Sequence, residues 1–195
     1  MNKNCLLCCV GGQGTVLASK LIAYAAMEKG LFVRTTETIG MAQRGGSVVS
    51  HVRMGEEVHS PLIPKGQADV MIAFEPAEAV RNLSYLKEDG VAVVNTKAVK
   101  PVTATLGNST YTGQEMIEYL KKHVKRLILV DGESICGEVG SAKVLNITLL
   151  GAALGSDVLD ISVDDMEKEI EKHVKKQFVE MNRKALALGV QSIQK

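Results

Sequence analysis

Short apolar runs alternate along this chain with longer amphipathic stretches, and that rhythm constrains the fold more than any other feature of the sequence. The runs fall at 5–10, 31–36, 47–54, 69–74, 90–95 and 127–130. Runs of this length suit strands, and the stretches between them have helical spacing. Their alternation is the pattern of βαβ units, which build a mainly parallel sheet covered by helices on both faces. Trp is absent and aromatic residues make up 4% of the chain, so Val, Ile, Leu, Ala and Met must fill the core. Such aliphatic cores suit strands buried on both faces. The expected class is α/β, a Rossmann-like three-layer fold with residues 1–195 forming one domain.

The helices are marked by spacing and caps. After the first run, Leu17, Leu21, Tyr24 or Ala25, and Ala26 recur at helical intervals up to Gly30, a good residue just past a helix end. A helix of about a dozen residues starts near Pro76, since proline suits a first helical turn. Thr112-x-x-Glu115 has the form of a capping box for a helix carrying Met116, Leu120 and Val124. Residues 137–155 read as one compact apolar helix. The last helix starts at Ser162, with Asp165 completing a second box, and runs on through Met166, Ile170, Val174, Val179 or Phe178, Met181 and Ala185. In run 47–54, Val48, Ser50, Val52 and Met54 alternate with Val49, His51 and Arg53, one face mostly apolar and the other polar. Residues 56–67 read as a surface loop.

Several function classes are excluded. Lys and Arg number 23 against 22 Asp and Glu, a net charge of +1, so no surplus exists to neutralise nucleic-acid phosphates or an anionic membrane. The basic run 121–126 reads as a helix C-terminus complementing the helix dipole. No apolar run reaches the roughly 18 residues that a membrane span needs, and a cytoplasmic location is expected. Cys5, Cys8 and Cys9 share one apolar run, in which Cys5 and Cys8 point to opposite faces, and Cys136 stands apart. They read as buried structural residues, so neither a metal nor an iron–sulfur cluster is expected on this chain. His51, His59, His123 and His173 are scattered, and no nucleophile elbow is present. Glu75 and Asp131 both end strands on one rim, but spacing alone does not pair them. Asp131-Gly132 lacks the preceding glycine and distant asparagine of a thiamine diphosphate anchor.

Two segments carry the chemistry. Gly11, Gly12 and Gly14, with Gln13 among them, join a strand to a helix, where backbone N–H groups can face an anion. The dinucleotide fingerprint is incomplete because Leu17 stands where Gly or Ala is needed, although Glu37 is placed to serve as the ribose acid. A tight strand-to-helix turn requires such glycines in any case. The second segment, from Glu37 and Thr38 through Gly40, Met41, Gln43, Arg44, Gly45 and Gly46 to Ser47, combines polar side chains, glycines and one guanidinium after a core strand. Arg44 can clamp a carboxylate or phosphate bidentately, with glycine amides around it. A structural turn in which Arg44 caps carbonyls is the alternative.

Together these motifs, at this spacing and followed by Val48 to Arg53, resemble the gamma-type domain of the 2-oxoacid:ferredoxin oxidoreductases, and most of all its indolepyruvate branch. The resemblance runs from about Cys8 to the last helix. It implies an accessory subunit, inactive alone, of an enzyme that oxidatively decarboxylates arylpyruvates to arylacetyl-coenzyme A and reduces ferredoxin. It also implies that thiamine diphosphate, magnesium and the iron–sulfur clusters sit on a larger alpha subunit, with coenzyme A as co-substrate. The two glycine segments would then meet that subunit or coenzyme A. Pyruvate, 2-ketoisovalerate or 2-oxoglutarate is the alternative substrate. A free-standing dinucleotide-binding protein and a non-enzymatic scaffold are the alternative classes.

Overall fold

The computed structural model describes residues 2–39, 45–99 and 111–193. Its strands are β1 (Lys3–Val10), β2 (Phe32–Ile39), β3 (Ser47–Gly55), β4 (Ala68–Ala73), β5 (Leu86–Asn95) and β6 (Arg126–Val130). The helices are α1 (Thr15–Glu28), α2 (Pro76–Asn82), α3 (Gln114–His123), α4 (Gly132–Val139), α5 (Leu145–Gly155), α6 (Val163–His173) and α7 (Val179–Gln191). The strands form one sheet in the order β2-β3-β1-β4-β5-β6. This is the three-layer, mainly parallel α/β fold that the rhythm of the sequence implies.

One strand departs from the parallel rule. β3 pairs antiparallel with both β1 and β2, whereas β4, β5 and β6 follow β1 in parallel. The cause lies in the connections. Parallel neighbours need a crossover of a dozen or more residues, and only residues 40–46 separate β2 from β3. The chain therefore turns back, and β3 is inserted between β1 and β2.

Strand parity sorts the core. Cys5, Leu7, Cys9, Val52, Val70, Ile72 and Val93 share one cluster with side chains of α1, α5, α6 and α7. Leu6, Cys8, Met71, Ala73, Ala92 and Val94 meet Ala79 of α2 and Leu120 of α3 on the other face. Cys5 and Cys8 thus do point to opposite faces. On β3, Val48, Ser50, Val52 and Met54 are all buried, as the alternation requires. The loop at 56–67 adds a lid of its own: Ile63 is buried, and its N–H donates to His51 Nδ1 at 3.2 Å.

Four helix expectations need correction. The helix at Pro76 spans 7 residues rather than about a dozen, and a 3-10 turn at 83–85 leads into β5. Residues 137–155 are not one helix. α4 ends at Gly140, whose φ of +87° is easy only for glycine, and a 3-10 turn at 142–144 leads into α5. The last helix is also two. The Ser162–Asp165 capping box forms as expected, but α6 stops at Val174, which is extended, and α7 starts at Val179. The apolar period carries through the break because both helices bury the same stripe. The Thr112–Glu115 box does not form, since Gly113 is the N-cap and no side chain caps α3. Among the described residues, no helix is long and apolar enough to cross a membrane.

Candidate functional site

In an open sheet of this kind, the crevice forms where two neighbouring strands send their connections in opposite directions. Here that point lies between β1 and β4. From β1 the chain passes through α1 toward β2, and from β4 it passes through α2 toward β5. The first glycine turn therefore opens on the crevice.

The turn is built by backbone freedom and one glutamine. Gly12 and Gly14 have φ of +103° and +86°, where a side chain would be strained. Gln13 ties the turn to both strands. Its Oε1 accepts from Val10 N–H at 2.8 Å and its Nε2 donates to Phe74 O at 3.4 Å. Asn95, on β5, donates to the same Phe74 O at 3.1 Å and accepts from Gly132 N–H at 3.2 Å. One row of side-chain amides thus stitches the ends of β1, β4, β5 and β6.

α1 starts at Gly14 with no side-chain cap and no acid in its first turn. Among the described residues no side chain caps its first N–H groups, which can meet a negative group favoured further by the helix dipole. A pocket of about 340 Å³ lies beside them, lined by Cys9, Gly11, Gly12, Gly14, Thr15, Val16 and Val48. Asn146 of α5 holds the turn from behind, donating to Gly14 O at 3.1 Å.

The structure brings the two glycine segments together. Gly11 N–H donates to Gly46 O at 2.8 Å, and Gly45 N–H donates to Gly11 O at 3.4 Å. These bonds extend the β1–β3 ladder beyond the Val10–Ser47 pair into both segments. Glu37 lies 3.3 Å from Ser19 Oγ of α1, whose hydroxyl also reaches Val16 O at 3.1 Å. Thr38 donates to Val49 O at 3.0 Å and serves the sheet edge. Gly40, Met41, Gln43 and Arg44 lie outside the described residues.

On the far side of the crevice stand two carboxylates, of which sequence reasoning named Glu75 but missed Glu78. Glu75 and Glu78 are 2% and 4% exposed. Glu75 caps α2 by accepting from Glu78 N–H at 3.1 Å, and its other oxygen accepts from Tyr111 OH. Burial and that carboxylate push the Tyr111 hydroxyl well above its ordinary range. Glu78 accepts from Ser47 Oγ at 2.5 Å and pairs with Arg81 Nε at 3.3 Å. The readable signal was Glu75-Pro76-Ala77-Glu78, a cap with proline in the first turn. Asp131 likewise caps its own helix, accepting from Ser134 N–H at 3.0 Å, so Glu75 and Asp131 share the rim without forming a pair.

The donor set does not fit a metal centre or cluster. Among the described residues, no three His, Cys, Asp or Glu groups converge. All four cysteines are buried and unbridged. Burial pushes Cys9 up to about 11 and raises Cys5, Cys8 and Cys136, so these thiols stay protonated and unreactive at neutral pH.

Comparison with known proteins gives the family and the fold. A family model described as pyruvate ferredoxin/flavodoxin oxidoreductase matches residues 4–192. An indolepyruvate oxidoreductase subunit of Archaeoglobus fulgidus is 42% identical over 97% of this chain and 94% of its own. The common gamma subunit of the pyruvate/ketoisovalerate oxidoreductases of Pyrococcus abyssi is 31% identical, covering 90% of this chain and 88% of its own. The crystal structure of a keto/oxoacid ferredoxin oxidoreductase gamma subunit from Geobacter sulfurreducens superposes with a TM-score of 0.72. It is 25% identical and covers 98% of both chains.

Proposed function

The chain belongs to the pyruvate ferredoxin/flavodoxin oxidoreductase family, and on that premise we propose that it is the small subunit of an indolepyruvate:ferredoxin oxidoreductase. The enzyme as a whole would convert arylpyruvates to arylacetyl-coenzyme A and pass the electrons to ferredoxin. The observation that carries the substrate class is the 42% identity to an indolepyruvate oxidoreductase subunit along nearly the whole chain, against 31% for a pyruvate/ketoisovalerate subunit.

In this reading all 195 residues act as one gamma-type domain. A larger subunit holds thiamine diphosphate, magnesium and the iron–sulfur clusters. That cofactor set supplies the carbanion chemistry and electron transfer. This chain contributes shaped surface and fixed dipoles. The joined glycine turns at Gly11–Gly14 and Gly45–Ser47 and the uncapped start of α1 form the rim that meets the large subunit and coenzyme A phosphates, and Arg44, next in sequence to Gly45, is the guanidinium assigned to act with them. Free N–H groups and a guanidinium are the donors such an anion needs. The backbone bonds between Gly11 and Gly45–Gly46 tie the two turns together, and preorganised donors of this kind lower the cost of binding.

The test is Arg44→Ala in the co-expressed complex. Coenzyme A-dependent ferredoxin reduction should fall about tenfold or more, the loss of a charge-assisted contact, while the melting temperature of the small subunit stays unchanged. Full activity in a fully assembled variant would refute the placement of the rim. Indolepyruvate and pyruvate as competing substrates test the branch, with indolepyruvate expected to give the higher kcat/KM.

A further inference from the structure

Two buried carboxylates three residues apart are an expensive arrangement unless every oxygen is hydrogen-bonded. Here three of the four oxygens of Glu75 and Glu78 accept a hydrogen bond, and the fourth, on Glu78, is held by an ion pair with Arg81. Glu75 takes Tyr111 OH and Glu78 N–H, and Glu78 takes Ser47 Oγ and Arg81 Nε. The two hydroxyls do the same chemical service, but they tie α2 to different parts of the molecule. Tyr111 belongs to the approach to α3. Ser47 is the first residue of β3, directly after Gly45 and Gly46, and those glycines are bonded to Gly11.

The geometry follows from strand parity. Ser47 lies on the same face of β3 as His51 and Arg53, the face toward α2, so its hydroxyl reaches across the end of β1 to Glu78. Glu78 is held in turn. It is 4% exposed, and its own backbone N–H and C=O are engaged by Glu75 and Asn82, the latter donating at 2.9 Å. The Ser47 end of the second glycine segment is therefore fastened to a rigid carboxylate, and the Gly46 carbonyl in turn fixes Gly11.

We propose that Glu78, acting through Ser47, is a positioning residue that sets the register of Gly45 and Gly46 against Gly11 at the coenzyme A rim. It touches neither substrate nor cofactor. The proposal rests on the function proposed above. Its effect is to present the amides of the first turn in one arrangement rather than several, so its loss weakens coenzyme A binding more than it slows the chemistry.

The experiment compares Ser47→Ala with Tyr111→Phe in the assembled complex. Each removes one hydroxyl from one buried carboxylate, so their stability losses should be similar. Ser47→Ala should raise KM for coenzyme A about tenfold, equivalent to about 1.4 kcal/mol at 25 °C, with kcat changed less than about twofold. Tyr111→Phe should leave KM unchanged, and Ser47→Thr, which restores the hydroxyl, should recover it. If the Ala variant does not assemble, Glu78→Gln carries the same comparison, with a rise of about threefold expected because one acceptor oxygen remains. Equal KM changes in the Ser47 and Tyr111 variants, or none in either while Arg44→Ala is impaired, would overturn the positioning role alone. Normal kinetics in Arg44→Ala and Ser47→Ala together would overturn the rim itself.

Discussion

Glycine does opposite work in two regions of this molecule. At the rim, Gly12 has a φ of +103° and a Cβ added there would meet nothing within 4 Å. In the seam between α5 and α7, a Cβ on Gly189 would lie 2.1 Å from Thr148 O, and one on Gly151 would lie 2.3 Å from Leu186 O. The seam uses glycine to let two helix backbones approach. The rim uses it for a turn that leaves space in front of itself. A fold spends its tight packing where nothing must enter, and keeps open backbone where something must.

That contrast predicts a graded set of outcomes. Gly189→Ala should be the most damaging. Alanine gains about 1 kcal/mol in helix propensity, but backbone overlap at this distance forces the helices apart and outweighs it. A net loss of about 3 kcal/mol or more is expected, seen as a melting temperature lower by about 6–12 °C for a chain of this size. A neutral substitution there would break the comparison. Gly12→Ala should cost less, about 1–2 kcal/mol for a left-handed alanine, yet reduce coenzyme A-dependent turnover of the complex severalfold. Stability lost without any change in turnover would make Gly12 merely a turn residue.

The smallest effect belongs to a site remote from both glycine sets. His51 is buried under Ile63 and stacks edge-on with Tyr85, and burial holds its imidazole below the ordinary range. The folded ring is neutral, accepting from Ile63 N–H, whereas the unfolded chain takes up a proton near pH 6.5. Stability should therefore be full above about pH 6.5 and fall as pH drops through it, levelling only once the folded ring also protonates. Melting curves from about pH 8 to 5 should be flatter for His51→Gln than for the natural chain, and the glycine variants should keep the natural slope.

Much of this was legible in the sequence because strand parity and helical period are local. Cys5 and Cys8 fall on opposite faces by counting alone, and the Ser162–Asp165 box forms where its spacing says. Local patterns also mislead. The stripe Met166, Ile170, Val174 runs straight into α7 because both helices pack on the same cluster, so periodicity cannot see the break at 174–178. The reversal of β3 was encoded in the shortness of residues 40–46, a fact about reach rather than composition. The Ser47–Glu78 bond links residues 31 apart, and it exists only because the β1–β3 register puts that hydroxyl over α2. No spacing rule reaches it. The meeting of Gly11 with Gly46 was likewise a consequence of register, although both glycine segments stood out in the sequence.

The most direct measurement is reconstitution of ferredoxin reduction from separately purified subunits, with indolepyruvate and coenzyme A supplied. The account predicts a small subunit that is colourless and inert alone, a large subunit that works poorly without it, and full rates on mixing. A small subunit that retains thiamine diphosphate or a cluster and oxidises the 2-oxoacid unaided would contradict it, as would a large subunit whose rate is unchanged by the addition.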